Sequence, residues 1–103
     1  MSSNVEIKKD EPVRRRVRVR ISGRVQGVFF RSSAREQARV HRITGYVRNL
    51  PDGSVEAVGE GLEERLRAFV AWCHRGSAGA RVDKVDVQWE DAREEFEFFE
   101  VRY

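Results

Sequence analysis

The order in which hydrophobic periods follow one another constrains this chain more than any other feature. From Val13 onward, Val17-Arg18-Val19-Arg20-Ile21-Ser22 alternates apolar and polar residues with period two, the mark of a strand with one wet face. Gly23 to Phe29 breaks the alternation with two glycines, and a helix is predicted from Phe30 to His41, with Phe30, Ala34, Ala38 and His41 on one face. A second strand spans Ile43 to Asn49 and a third Ser54 to Gly59. Between them Leu50-Pro51-Asp52-Gly53 reads as a turn with glycine where positive φ is wanted, so the two strands form a hairpin. Gly61 opens a second predicted helix whose Leu62, Leu66, Phe69, Val70 and Cys73 form an apolar stripe, and Gly76 supplies its stop. Val85, Val87 and Trp89 alternate as a fourth strand, and Phe99, Val101 and Tyr103 as a short fifth.

The succession β-α-β-β-α-β predicts an α+β fold, a ferredoxin-like sandwich in which an antiparallel sheet carries two helices on one face. Residues 1 to 12 are polar and aperiodic and read as a flexible tail, leaving 13 to 103 as one domain. This architecture hosts RNA-binding modules, metal chaperones, sensors and hydrolases, so it does not choose a function.

Composition removes several classes. Hydrophobic residues make up 40% of the chain and charged residues 36%, the balance of a soluble globular protein. No apolar run approaches the roughly 20 residues needed to span a bilayer, and the N-terminus has no secretory apolar region, so a cytoplasmic location is expected without a membrane partner. One cysteine allows no internal disulfide, and one cysteine with two histidines is too thin for structural zinc, so neither a metal nor a cofactor is expected. Cys73 lies on the apolar stripe and reads as core. His41 and His74 fall at predicted helix ends, where histidine more often caps than catalyses.

The charge is unevenly spread. Through Arg48 there are 13 Lys and Arg against 4 Asp and Glu; from Asn49 onward the counts are 7 and 13. The split hints at an anion handled by the N-terminal half, either nucleic acid or a phosphorylated small molecule. The plainer reading is that basic and acidic segments lie side by side on one folded surface.

Gly23-Arg24-Val25-Gln26-Gly27-Val28-Phe29-Phe30-Arg31 runs from the end of a strand into the first turn of a helix. There, glycines let successive N–H groups curl around one concavity, and the helix dipole reinforces the positive potential. Arg31 is placed to add a bidentate contact to two phosphate oxygens. The alternative is an ordinary glycine-bearing turn followed by an exposed arginine. The stretch lacks the Lys-Ser/Thr of a phosphate-binding loop of nucleotide hydrolases, and Gly59-Glu60-Gly61 lacks the third glycine of a dinucleotide fingerprint.

The same nine residues resemble the acylphosphatase signature Gly-x-Val-Gln-Gly-Val-x-Phe-Arg at every fixed position. A second stretch, Gly45-Tyr46-Val47-Arg48-Asn49-Leu50-Pro51-Asp52-Gly53-Ser54-Val55 followed by Gly61, resembles the family's other signature. The resemblance covers about residues 16 to 103 and includes the closing Phe-Glu-Val-Arg-Tyr. It implies an enzyme that hydrolyses small-molecule acyl phosphates, with inorganic phosphate as product and competitive inhibitor, acting as a monomer. Arg31 is implied as the phosphate-binding catalytic residue and Asn49 as the residue that positions the attacking water. The backbone N–H groups of Val25, Gln26, Gly27, Val28, Phe29 and Phe30 are implied as the phosphate cradle. From the residues alone, Asn49 also reads as a polar end to a strand before a turn. Yet it shares parity with Ile43, Gly45 and Val47, which turns it toward the helices and the start of the first of them.

Two other readings compete. A nucleic-acid-binding domain of the same fold is motivated by the basic N-terminal half, but the outward candidates of the third strand, Ser54, Glu56 and Val58, offer no aromatic platform for bases. A fragment of a larger maturation enzyme with a similar domain is the other, disfavoured because the sequence stops at Tyr103.

Overall fold

A computed structural model describes residues 13–103; the expected tail lies outside the described residues. In chain order the elements are β1 (Arg14–Arg24), α1 (Phe30–Val40), β2 (Thr44–Asn49), β3 (Val55–Leu62), α2 (Glu63–Arg75), β4 (Arg81–Asp91) and β5 (Phe99–Arg102). The strands form one sheet in the order β4-β1-β3-β2-β5. Alternation on β1 divides its side chains cleanly: Val17, Val19 and Ile21 are fully buried, while Arg18 and Arg20 on the other parity reach Glu56 and Asp52. The apolar parity meets both helices. Phe30, Ala34 and Ala38 come from α1 and Leu66, Phe69, Trp72 and Cys73 from α2, packed with Val47, Val55, Ala57 and Phe99 of the sheet.

The predicted antiparallel sheet is in fact mixed. β1, β3, β2 and β4 pair antiparallel, but β5 runs parallel to β2. Since β2 shares the direction of β1 and β4 opposes it, a chain that turns round after β4 and docks on the free edge of β2 must run parallel to it. The second correction concerns Gly61, which does not open a helix. β3 continues to Leu62, in register with Arg14, and α2 begins at Glu63 with Glu63 and Glu64 complementing its positive end. Leu62 is therefore the N-cap and not part of the stripe; Trp72, which the stripe omitted, is buried instead. Glycine is needed in this stretch for packing, because a Cβ on Gly59 would lie 2.8 Å from Ile43 Cγ2. β4 is also longer than its three alternating residues, because it pairs along nearly all of β1 around an irregularity at Ser22/Gly23.

The turns match their residues. Gly53 takes φ +95°, and Gly76 caps α2 with φ +75° while its N–H donates to the Trp72 carbonyl at 2.8 Å. Cys73 is core, and burial pushes its thiol up to about 12, so it is no nucleophile at neutral pH. Of the outward candidates on β3, Ser54 and Val58 are buried. Val58 lies in register between Arg18 and Tyr46, and the aromatic pair beside it, Tyr46 with Phe96, is covered by the guanidinium groups of Arg102 and Arg16.

Candidate active site

The segment between β1 and α1 carries two left-handed residues, Gly27 at φ +78° and Phe29 at φ +59°. Phe29 is the N-cap of α1; it makes no side-chain cap, and the helix has no acidic residue in its first turn. The first helical hydrogen bond runs from the Ser33 N–H to the Phe29 carbonyl at 3.1 Å, so the N–H groups of Phe30, Arg31 and Ser32 have no intrahelical partner. Among the described residues no backbone or side-chain acceptor takes the N–H groups of Gln26 to Phe30. An uncapped positive helix end beside free amides is a place for an anion.

Two side-chain contacts fix this loop. The Gln26 amide donates to the carbonyls of Leu50 and Ser54, both at 2.9 Å, which straddle the β2–β3 turn. The Ser77 hydroxyl donates to the Val28 carbonyl at 2.8 Å, and Val28 packs against the core. Gln26 and Val28 thus anchor the loop, whereas Val25, Gly27, Phe29 and Phe30 line a pocket of about 290 Å³ together with Arg31, Ser32, Arg35, Asn49, Val101 and Tyr103. The structure brings Arg31 and Asn49, 18 positions apart in the chain, into this one pocket. Asn49 is half-buried at the end of β2, opposite Val55, on the parity of buried Val47.

Arg31 is held from the C-terminus. Its Nη1 donates to the Arg102 carbonyl at 3.1 Å, and its guanidinium lies 4.6 Å from the centre of the Tyr103 ring. One edge of the fork is thereby fixed and one face covered. Sequence reasoning missed this contact, because the partners are 71 residues apart and meet only once β5 docks beside β2. The alternating close at Phe99, Val101 and Tyr103 was the available signal. Among the described residues no group of three His, Cys, Asp or Glu could hold a metal, and no Asp or Glu lines the pocket.

The outer face of the sheet is laced with ion pairs. Arg18 meets Glu56 at 3.1 Å and Glu90 at 3.5 Å, Arg48 meets Glu56 at 2.8 Å, and Arg20 meets Asp52. Burial opposes ionisation of Glu56, but hydrogen bonds and charge from Arg48 and Arg18 outweigh it and hold the carboxyl below its usual range.

Comparison with known proteins settles the family. The family model described as acylphosphatase matches residues 17–101. The chain belongs to the acylphosphatase family. It is 50% identical over 88 residues to an acylphosphatase of Anaeromyxobacter dehalogenans, covering 85% of this chain and 95% of that one. With an acylphosphatase of Rubrobacter xylanophilus it shares 54% over 88 residues, covering 85% and 80%. The crystal structure of acylphosphatase from Bacillus subtilis superposes with a TM-score of 0.84 at 34% identity, covering 86% of this chain and 99% of that one. A full-length HypF superposes at 0.78 over 13% of its length, but at 21% identity that likeness shows the fold alone. Family and fold together support acylphosphatase activity, and the nucleic-acid-binding reading finds no support among them.

Proposed function

We propose that this acylphosphatase binds the phosphoryl group of its substrate between the Val25–Phe30 amides and Arg31, and that Asn49 orients the attacking water. The observation that supports this most directly is the shared pocket: one fixed guanidinium, one side-chain amide and a run of unpartnered N–H groups, with no carboxylate to repel the substrate.

The reaction asks little more of the protein. The water oxygen forms a bond to phosphorus as the bond from phosphorus to the acyl oxygen breaks in line, giving a carboxylate and inorganic phosphate. The leaving group has a pKa of about 4 to 5 and departs without a general acid. The loose transition state needs charge spread over the equatorial oxygens to be stabilised, which Arg31 and the amides supply, and it needs alignment, which Asn49 supplies. The water's proton passes to a phosphoryl oxygen of the substrate.

The test is hydrolysis of benzoyl phosphate. Arg31→Ala and Asn49→Ala are each expected to lower kcat at least 100-fold with unchanged circular dichroism. Arg31→Lys is expected to be severe as well, since an ammonium cannot hold two oxygens in fixed geometry. Full activity in either alanine variant overturns the assignment. Inorganic phosphate is expected to compete with substrate and EDTA to have no effect. The reading extends to a monomer in the cytoplasm: the lone, buried thiol suits a reducing compartment, and no helix among the described residues is long and apolar enough to cross a membrane.

A further inference from the structure

The pocket contains a second arginine that the proposed mechanism does not use. Arg35 stands one helical turn after Arg31, and Cβ atoms on a helix incline toward its N-terminus, so its side chain leans toward the mouth of the cradle it lines. Most arginines of this protein meet carboxylates, including those on the outer sheet face. Among the described residues Arg35 meets none: Glu36, its neighbour in the chain, pairs with Arg39 at 3.8 Å instead. The Arg35 Nε is buried and has no hydrogen-bond partner among the described residues. A buried donor without an acceptor is costly and uncommon in a native fold, and an acceptor brought by a ligand relieves it. No acid lines the pocket to compete for that role.

The transferred phosphoryl group is already served by Arg31 and the loop amides. A pocket of about 290 Å³ lies near the lower end of small-molecule sites and has room for an acyl part beside the phosphate. We propose that Arg35 grips a second anionic group on the acyl part, so that this enzyme prefers acyl phosphates carrying a further carboxylate or phosphate over those with a neutral acyl group. The proposal rests on the functional reading above and names a substrate class within it. Because the gripped group is remote from the breaking bond, the contact is the same in ground and transition states and is expressed in KM more than in kcat.

The experiment compares kcat/KM for benzoyl phosphate with that for 3- and 4-carboxybenzoyl phosphate, which place a distal anion at two reaches, in the parent enzyme and in Arg35→Met. Methionine retains much of the apolar stem and removes the charge. The ratio of two substrates on one preparation cancels the folded fraction, so partial unfolding of the variant does not confuse it. The parent is expected to favour at least one carboxy compound about tenfold, mainly through KM, and Arg35→Met to bring the ratio to about one. No preference in the parent, or a preference that survives in Arg35→Met, overturns the proposal while leaving acylphosphatase activity standing. Failure of the parent to hydrolyse any of the three compounds overturns the functional reading and this proposal with it.

Discussion

Gln26 illustrates how residues that do no chemistry decide whether the site exists. Its side chain is the direct tie between the cradle loop and the β2–β3 turn that follows Asn49, through two 2.9 Å bonds. Gln26→Ala leaves the Leu50 and Ser54 carbonyls without that partner and frees the loop relative to Asn49. It is expected to cost about 1 to 3 kcal/mol in urea denaturation and to lower kcat/KM about tenfold. An unaltered kcat/KM would mean that the loop holds its place by other means. Tyr103→Ala is expected to weaken activity a few-fold by uncovering Arg31, with Tyr103→Phe near normal, since the ring face and not the hydroxyl meets the guanidinium. At this scale the sequence shows unevenly. Arg31 and Asn49 stand out through their motifs, and parity placed Asn49 toward the helices. Gln26 showed only as a member of the loop, and the Arg102 and Tyr103 contacts depend on a tertiary meeting that no local spacing encodes.

Among the elements, the turn at Leu50 to Gly53 set off β2 and β3, and period-two alternation marked β1, β4 and β5, because a half-buried strand must alternate. It failed where a strand ends in glycines. Gly61 reads in the sequence as the opening of a helix, yet Gly59-Glu60-Gly61 belongs to the buried end of β3, and Glu60 is only 1% exposed. Its carboxylate pairs with buried Arg16 at 3.1 Å and accepts the N–H groups of Arg93 and Glu94 at 2.8 and 2.9 Å. With the Arg14–Glu94 and Arg16–Glu95 pairs it secures the crossing from β4 to β5, and β5 in turn holds Arg31. Glu60→Ala leaves Arg16 with Glu95 as its remaining carboxylate and takes the acceptor from the Arg93 and Glu94 N–H groups, and is expected to cost about 1 to 3 kcal/mol. Activity is expected to be lost at lower urea than the helical circular dichroism if the β4–β5 crossing loosens first; coincident transitions would show that it does not. Gly45 carries a stricter constraint on β2. Its φ is +144°, and a Cβ there would lie 1.9 Å from the Val58 carbonyl oxygen, so Gly45→Ala is expected to prevent β2 from docking on β3 and to unfold the protein at ordinary temperature.

Over the whole molecule, the charge asymmetry along the sequence becomes pairing in space. The sheet order sets basic β1 between acidic stretches of β3 and β4, so Arg14, Arg15, Arg16, Arg18 and Arg20 each meet a carboxylate drawn from the acidic half. The plainer reading of that asymmetry is therefore the one the structure bears out, while Arg31 and Arg35 in the pocket pair with no carboxylate among the described residues and remain to attract an anion. Arrangement by pairing also fixes the response to acid. Hydrogen bonds from arginine hold Glu63 and Glu94 below the ordinary carboxylate value of 4.5, and Arg48 and Arg18 do the same for Glu56 against the opposing effect of burial. As pH falls through the ordinary value, the unfolded chain takes up protons that the folded one still refuses, so the stability these groups contribute is present above about 4.5 and is lost as pH drops through the lowered native values. Urea midpoints are accordingly expected to fall steeply below about pH 4.5. Glu56→Gln is expected to be less stable at pH 7 by about 1 to 2 kcal/mol, because it leaves Arg18 and Arg48 less well paired, and to show a shallower acid limb because one lowered carboxyl is gone. An acid limb as steep in Glu56→Gln as in the parent would place the pH sensitivity in other carboxyls and separate the lattice on the outer face from the acid response.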